Sequence, residues 1–154
     1  MRVLGIDYGA RRVGLAVSDA TGLLARPLKT LDRSSLASDA ALVDAVLVAV
    51  AEVSTDDEPL AAIVVGLPRR LDGSPNDQTP RVEAFVTRLA ARTPLPVVLQ
   101  DERLSSHEAE SRLALTEKDW RRRKQMLDAA SAAVILQDYL DAKRPTLLAD
   151  PDLR

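Results

Sequence analysis

Apolar and polar residues fall into blocks whose lengths and periods predict a definite series of strands and helices. Arg2–Asp7 is an apolar run that closes on a carboxylate, and Val13–Ser18 is a second run after a turn at Gly9. Short uninterrupted apolar runs read as buried strands. Asp19-Ala20-Thr21-Gly22 carries turn chemistry, and Leu23–Leu28 follows as a third strand whose Pro27 suits a sheet edge. Leu36, Val43, Val46, Leu47 and Val50 then keep a helical stripe, with Ser34 or Ser35 as the cap. The polar stretch Ser54–Pro59 ends it. Leu60–Leu67 is nearly all apolar, as a central parallel strand should be. A loop at Pro68–Gln78 leads to a helix that starts at Thr79-Pro80 and carries Val82, Phe85, Val86 and Leu89. Pro96–Gln100 is another buried strand. Ser105-Ser106-His107-Glu108 is a capping box that opens a helix. Leu115–Gln125 is polar and basic without clear periodicity. Leu127–Leu140 is an Ala-rich helix, stopped at Lys143-Arg144-Pro145 and followed by a loose tail at 146–154.

This order predicts an α/β fold in a single domain over residues 1–145: three meandering strands, then βα units. Right-handed crossovers set the fourth strand beside the first and the fifth beyond it, giving a five-stranded mixed sheet of order 3-2-1-4-5 with helices on both faces. Ligands of such sheets gather at the carboxyl ends of the parallel strands. Asp7, Leu67-Pro68 and Gln100-Asp101-Glu102 all end strands at that rim.

Composition narrows the chemistry. The 154 residues hold no cysteine and one histidine, His107, so thiolate zinc and multi-histidine metal sites are excluded. Any metal must be held by oxygen, which points to Mg2+ or Mn2+. The formal net charge of −2 announces no global nucleic-acid surface. No apolar stretch approaches a membrane span and no signal-peptide pattern opens the chain. A cytoplasmic protein without membrane partners is expected.

Three acids stand where one rim can gather them. Asp7 closes the first strand, and an unpartnered carboxylate there is costly to bury. Asp101 and Glu102 follow the fifth strand. Asp128 heads a helix face that continues through Ala132, Ile135 and Tyr139, an apolar stripe in which an acid is out of place. Like charges at close range repel, so a cation is needed to keep Asp7, Glu102 and Asp128 all ionised. Two ions about 3.5–4 Å apart would clamp both oxygens of an in-line phosphoryl displacement. Each acid also has a plainer reading. Asp7 can cap a turn, Asp101 or Glu102 can be a helix-entry carboxylate, and Asp128 can be an acid of a first helical turn. The arrangement of the three favours a site.

Gly5-Ile6-Asp7-Tyr8-Gly9, Val13-Gly14-Leu15-Ala16, Ile63–Pro68, Asp72-Gly73, Asp101-Glu102-Arg103-Leu104-Ser105 and Asp128-Ala129-Ala130-Ser131-Ala132 stand in order. Together they closely resemble the YqgF/RuvX family of bacterial nucleases, over about Arg2 to Leu140. The resemblance implies a ribonuclease H-like fold and kinship with RuvC-type Holliday junction resolvases. It places the catalytic and metal-binding acids at Asp7, Glu102 and Asp128. Ala129 departs from the family pattern, which usually has Ser there; Ala keeps the helix and removes no ligand. The family is linked to maturation of the 5′ end of pre-16S ribosomal RNA and has been named a junction resolvase, so a ribosomal RNA precursor or branched DNA is the implied partner. Association with the ribosome and a homodimer stay open. Two rivals belong to other classes. An ATPase lobe of the actin, Hsp70 and sugar-kinase type shares G-I-D-x-G but needs a second lobe. A catalytically idle RNA-binding domain would not need all three acids.

Basic residues cluster around the same rim: Arg11 and Arg12 after the Asp7 turn, Arg69 and Arg70 after the fourth strand, and Arg103 after Glu102. Arg121, Arg122, Arg123 and Lys124 lead into the helix of Asp128. A charge run is usually a solvated face. Several runs at an acidic rim suit a phosphate backbone held without base readout. With one Trp, two Tyr and one Phe, stacking platforms are few. His107 reads as an exposed helix residue.

Overall fold

The computed structural model describes residues 2–68, 74–102 and 120–143, with the backbone alone at 102 and 120–126. Its strands are β1 (Arg2–Tyr8), β2 (Arg12–Ser18), β3 (Ala25–Asp32), β4 (Leu60–Pro68) and β5 (Val97–Glu102). Its described helices are α1 (Asp39–Val53), α2 (Thr79–Ala90) and α3 (Trp120–Lys143). The strands form one sheet of order β3-β2-β1-β4-β5, as the element order predicts. The first three pair antiparallel, whereas β4 lies parallel to β1 and β5 parallel to β4.

Both faces of the sheet are covered, which explains why β1, β2 and β4 read as unbroken apolar runs. Leu4, Ile6 and Tyr8 of β1 pack with Leu42, Val43 and Val46 of α1 and Val82, Phe85 and Leu89 of α2. The alternate positions meet α3. Val3, Ala16, Ala62 and Val64 pack there with Ala132, Ile135, Leu136 and Leu140. Gln137 ties α3 to the β2–β3 turn, its Oε1 accepting from the Ala25 amide at 2.9 Å and its Nε2 donating to the Leu23 carbonyl at 2.9 Å.

Several boundaries differ from the sequence reading. The third strand starts at Ala25, not Leu23, because Asp19 Oδ1 captures the amides of Leu23 and Leu24 and extends the turn. It runs on to Asp32 because β2 offers partners as far as Arg12. Ser38, not Ser34 or Ser35, caps α1, its hydroxyl accepting from the Ala41 amide. Ser34 is held instead in a turn closed by Asp32. Asp101 and Glu102 belong to β5 rather than to the turn after it, paired in register with Leu67 and Pro68. Finally, α3 begins at Trp120, so the run 121–124 is helical although its polar sequence lacks a core stripe. The helix expected from Ser105 and the tail at 146–154 lie outside the described residues.

Candidate active site

The approach of α3 to the sheet sets the geometry. On β1, Asp7 alternates with the residues that face α1 and α2, and so shares the α3 face with Val3 and Gly5. Its partner across the antiparallel pair is Gly14. A Cβ at Gly14 would lie 1.8 Å from the Asp128 carbonyl oxygen, so a side chain there is sterically impossible without moving the helix. The missing side chain lets α3 rest its Asp128 turn directly on β2. The buried Ala129 and Ala130 of the same turn are small enough to permit that contact. Asp7 and Asp128 thus meet although they stand 121 positions apart in the chain.

Their electrostatics follow from this meeting. The Asp7 carboxyl is pushed up from 3.8 to about 7, first by burial and then by the negative charge of Asp128. No described residue forms a hydrogen bond that would steady the ionised Asp7. Asp128 has a cation already: Arg12 Nε donates to its Oδ2 at 2.7 Å, both side chains remaining partly exposed. A buried carboxyl next to a second carboxylate, with oxygen donors and no soft ligand, fits a hard divalent cation. Among the described residues these acids do not extend to a cluster of three candidate ligands. The Glu102 side chain is not among those described. The β4–β5 register nevertheless pairs Glu102 with Pro68 and Val98 with Val64, and Val64 packs on the α3 face. Strand alternation therefore assigns the Glu102 position to the face of Asp7, and Asp101 to the opposite one.

The basic residues divide. Arg11 is exposed in the β1–β2 turn, and Arg12 is committed to Asp128. The run Arg121, Arg122, Arg123 and Lys124 occupies the first turns of α3, the helix that supplies Asp128. Arg69, Arg70, Arg103 and His107 lie outside the described residues.

Sequence reasoning missed a polar cluster behind the rim. Arg33 donates to the Tyr8 hydroxyl at 2.9 Å and to Asp39 Oδ1 at 3.0 Å, while Tyr8 itself donates to Asp39 Oδ1 at 3.0 Å. The guanidinium also sits 5.1 Å from the Tyr8 ring centroid. No local motif signals this triad, because its members come from β1, the β3–α1 loop and the first turn of α1.

Residues 1–142 match the family model RuvX, described as a Holliday junction resolvase. The chain belongs to the RuvX family of nucleases. It is 44% identical over 145 residues to a protein of Anaeromyxobacter dehalogenans (strain 2CP-1 / ATCC BAA-258), covering 94% of this chain and 100% of that relative. It is 40% identical over 142 residues to a protein of Syntrophus aciditrophicus (strain SB), covering 92% and 89%. Both relatives bear the provisional name pre-16S rRNA nuclease. Among solved structures, Thermus thermophilus RuvC bound to a Holliday junction substrate superposes with a TM-score of 0.53 at 22% identity, covering 93% of this chain and 96% of that one. The Fowlpox virus resolvase with Holliday junction DNA gives 0.53 at 12% identity, covering 92% and 98%. These likenesses establish the resolvase-type fold, and the family match removes the ground for an ATPase lobe. No described helix of this RuvX chain is long and apolar enough to cross a membrane.

Proposed function

We propose that this RuvX chain is a divalent-metal-dependent nuclease that hydrolyses phosphodiester bonds at the 5′ end of pre-16S ribosomal RNA in the cytoplasm. The observation that carries the reading is the pairing of Asp7 with Asp128, two carboxylates that no sequence neighbourhood forces together. Asp7, Glu102 and Asp128 would hold Mg2+ or Mn2+, as two ions. Bound there, the metal supplies activation of the attacking water and stabilisation of the leaving oxygen. The protein's own part is electrostatic and positional. Burial of Asp7 keeps the site poor in competing hydrogen bonds. Gly14 fixes the distance between the acid-bearing elements. Arg12 holds the Asp128 carboxylate in one orientation and is placed to meet a substrate phosphate when a cation takes its partner. Arg11 and the run at 121–124 add charge along the approach.

The RNA substrate is supported by the provisional name that relatives covering nearly the whole chain share. The family description favours a second reading, cleavage of branched DNA. The two are separated by incubating the protein with a precursor 16S RNA 5′ end, a single-stranded RNA and a four-way DNA junction, each with Mg2+, with Mn2+ and with EDTA. Metal-dependent cleavage of the precursor RNA is expected, with none by Asp7→Asn. Cleavage of the junction alone would move the assignment to the resolvase. Undiminished cleavage in EDTA would remove the metal mechanism.

A further inference from the structure

Arg12 stands between two carboxylates. Its Nε donates to Asp128 Oδ2 at 2.7 Å. Across the antiparallel β2–β3 pair its register partner is Asp32. One step beyond that pair, the Arg33 amide donates to the Arg11 carbonyl at 2.9 Å. This bond makes Arg12 and Asp32 a non-hydrogen-bonded pair, the kind whose Cα atoms approach to about 4.5 Å and whose side chains lie closest on a shared face. The face is that of α3, because Arg12 alternates with Gly14, on which the Asp128 turn rests.

Asp32 has capacity for a cation. Its Oδ1 accepts from the Ser34 amide at 2.8 Å. Its carboxyl is held below the ordinary 3.8, first by hydrogen bonds from Ser34 and also by the charge of Arg12, so it is ionised at neutral pH. Two nearby cations have carboxylates of their own: Arg33 lies 3.0 Å from Asp39, and Lys29 lies 3.3 Å from Glu52. There is also room to move. Arg12 and Asp32 both border two open cavities of about 420 and 410 Å3, one reaching Ala129 beside Asp128 and the other reaching Ala10, Arg11 and Ser34. With its side chain one-third exposed (33%), Arg12 can change rotamer without displacing packed atoms.

Arg12 and a divalent cation have opposite claims on Asp128. When Asp128 turns to a cation, Arg12 loses its partner and faces a like charge, and both effects weaken metal binding. A second carboxylate on the same face offsets them. A guanidinium has five N–H donors, so pairing with Asp32 still leaves donors for a phosphate oxygen. We propose that Asp32 is a positioning residue that receives the Arg12 guanidinium when Asp128 takes a divalent cation. This rests on the metal-dependent nuclease reading and deepens it, since Arg12 then exchanges one acid for another and stays at the rim.

The test is a cycle of four proteins, the parent, Asp32→Asn, Arg12→Ala and the double variant, each titrated with Mn2+ in a calorimeter at low ionic strength. Asn keeps an oxygen for the Ser34 amide and removes only the charge, so the parent and Asp32→Asn should melt alike. Loss of a negative charge weakens cation binding in any background, but loss of the receiver acts only where Arg12 is present. Asp32→Asn should therefore weaken Mn2+ binding by about two- to fivefold more in the parent than in Arg12→Ala, the worth of an exposed cross-strand ion pair. Equal factors in the two backgrounds overturn the proposal, because Asp32 would then act as a distant charge alone. Asp32→Glu keeps the charge and alters the turn, and should bind Mn2+ nearly as tightly as the parent. A loss as large as that of Asp32→Asn would assign the effect to the Ser34 turn and overturn the proposal too. If either result occurs while the parent binds Mn2+, the receiver alone fails. A parent that binds no Mn2+ removes the metal reading and the receiver with it.

Discussion

Asp7 shows how one side chain can be costly to the fold and still stand at the centre of the proposed site. Its carboxyl titrates near 7 in the folded protein and near 3.8 when free. Between those values the folded state binds more protons than the unfolded one, so stability falls as pH rises from about 4 to about 7 and then levels. Without divalent ions, Asp7→Asn should therefore gain on the parent in melting temperature across that interval and hold a constant lead above it. A lead independent of pH would mean that Asp7 is not the titrating group. Arg12 gives a second test at this scale. If its guanidinium and a cation compete for Asp128, Arg12→Ala should bind Mn2+ several-fold more tightly in a calorimetric titration while binding nucleic acid more weakly. Unchanged Mn2+ affinity would show that the ion pair does not occupy the metal position.

At the scale of elements, the contact of α3 with the β1–β2 pair makes the site, and two glycines permit it. The clash at Gly14 is with backbone at 1.8 Å, whereas a Cβ at Gly5 would meet Leu136 Cβ at 2.8 Å and the Ala132 carbonyl oxygen at 3.1 Å. A backbone obstacle cannot rotate away. Gly14→Ala should cost at least about 3 kcal/mol, the upper end of ordinary overpacking. That corresponds to a fall of roughly 6–12 °C in Tm. Gly5→Ala should cost less. Thermal unfolding of both variants checks the ranking, and cleavage should be lost in Gly14→Ala even where the fold survives, because the helix that carries Asp128 is displaced. The boundaries of β3 and α1 escaped local reasoning for a different reason. Asp19 and Ser38 act through hydrogen bonds to amides several residues on, and nearby Ser and Asp residues offer equivalent signals.

For the whole molecule, a net charge of −2 must coexist with attraction to a polyanion. Under the proposed function, charge placed along the approach would resolve this, since screening confines surface interactions to about 8–10 Å. Replacing Arg121, Arg122, Arg123 and Lys124 together with Ala should weaken substrate binding and flatten its salt dependence. On a single strand the slope should fall by up to about 0.7 for each phosphate that the run neutralises in the parent. Identical slopes in parent and variant would leave this run as a solvated helix face, with the approach running along Arg11 and Arg12.

The sequence by itself determined the architecture. Buried strands must be apolar on both faces, and their order with right-handed crossovers admits few arrangements, so β3-β2-β1-β4-β5 is legible in the linear chain. It also singled out Asp7 and Asp128, because an acid at the end of a buried strand and another on an apolar helix stripe both break the local pattern. The choice between Asp101 and Glu102 was different. Adjacent acids look alike in a linear chain, and only the β4–β5 register assigns them to opposite faces. Tertiary structure alone revealed that Gly14 sets the approach of Asp128 and that Arg12 is its counter-ion. Each of these depends on distances between segments far apart in the chain, and no local period or composition encodes such distances.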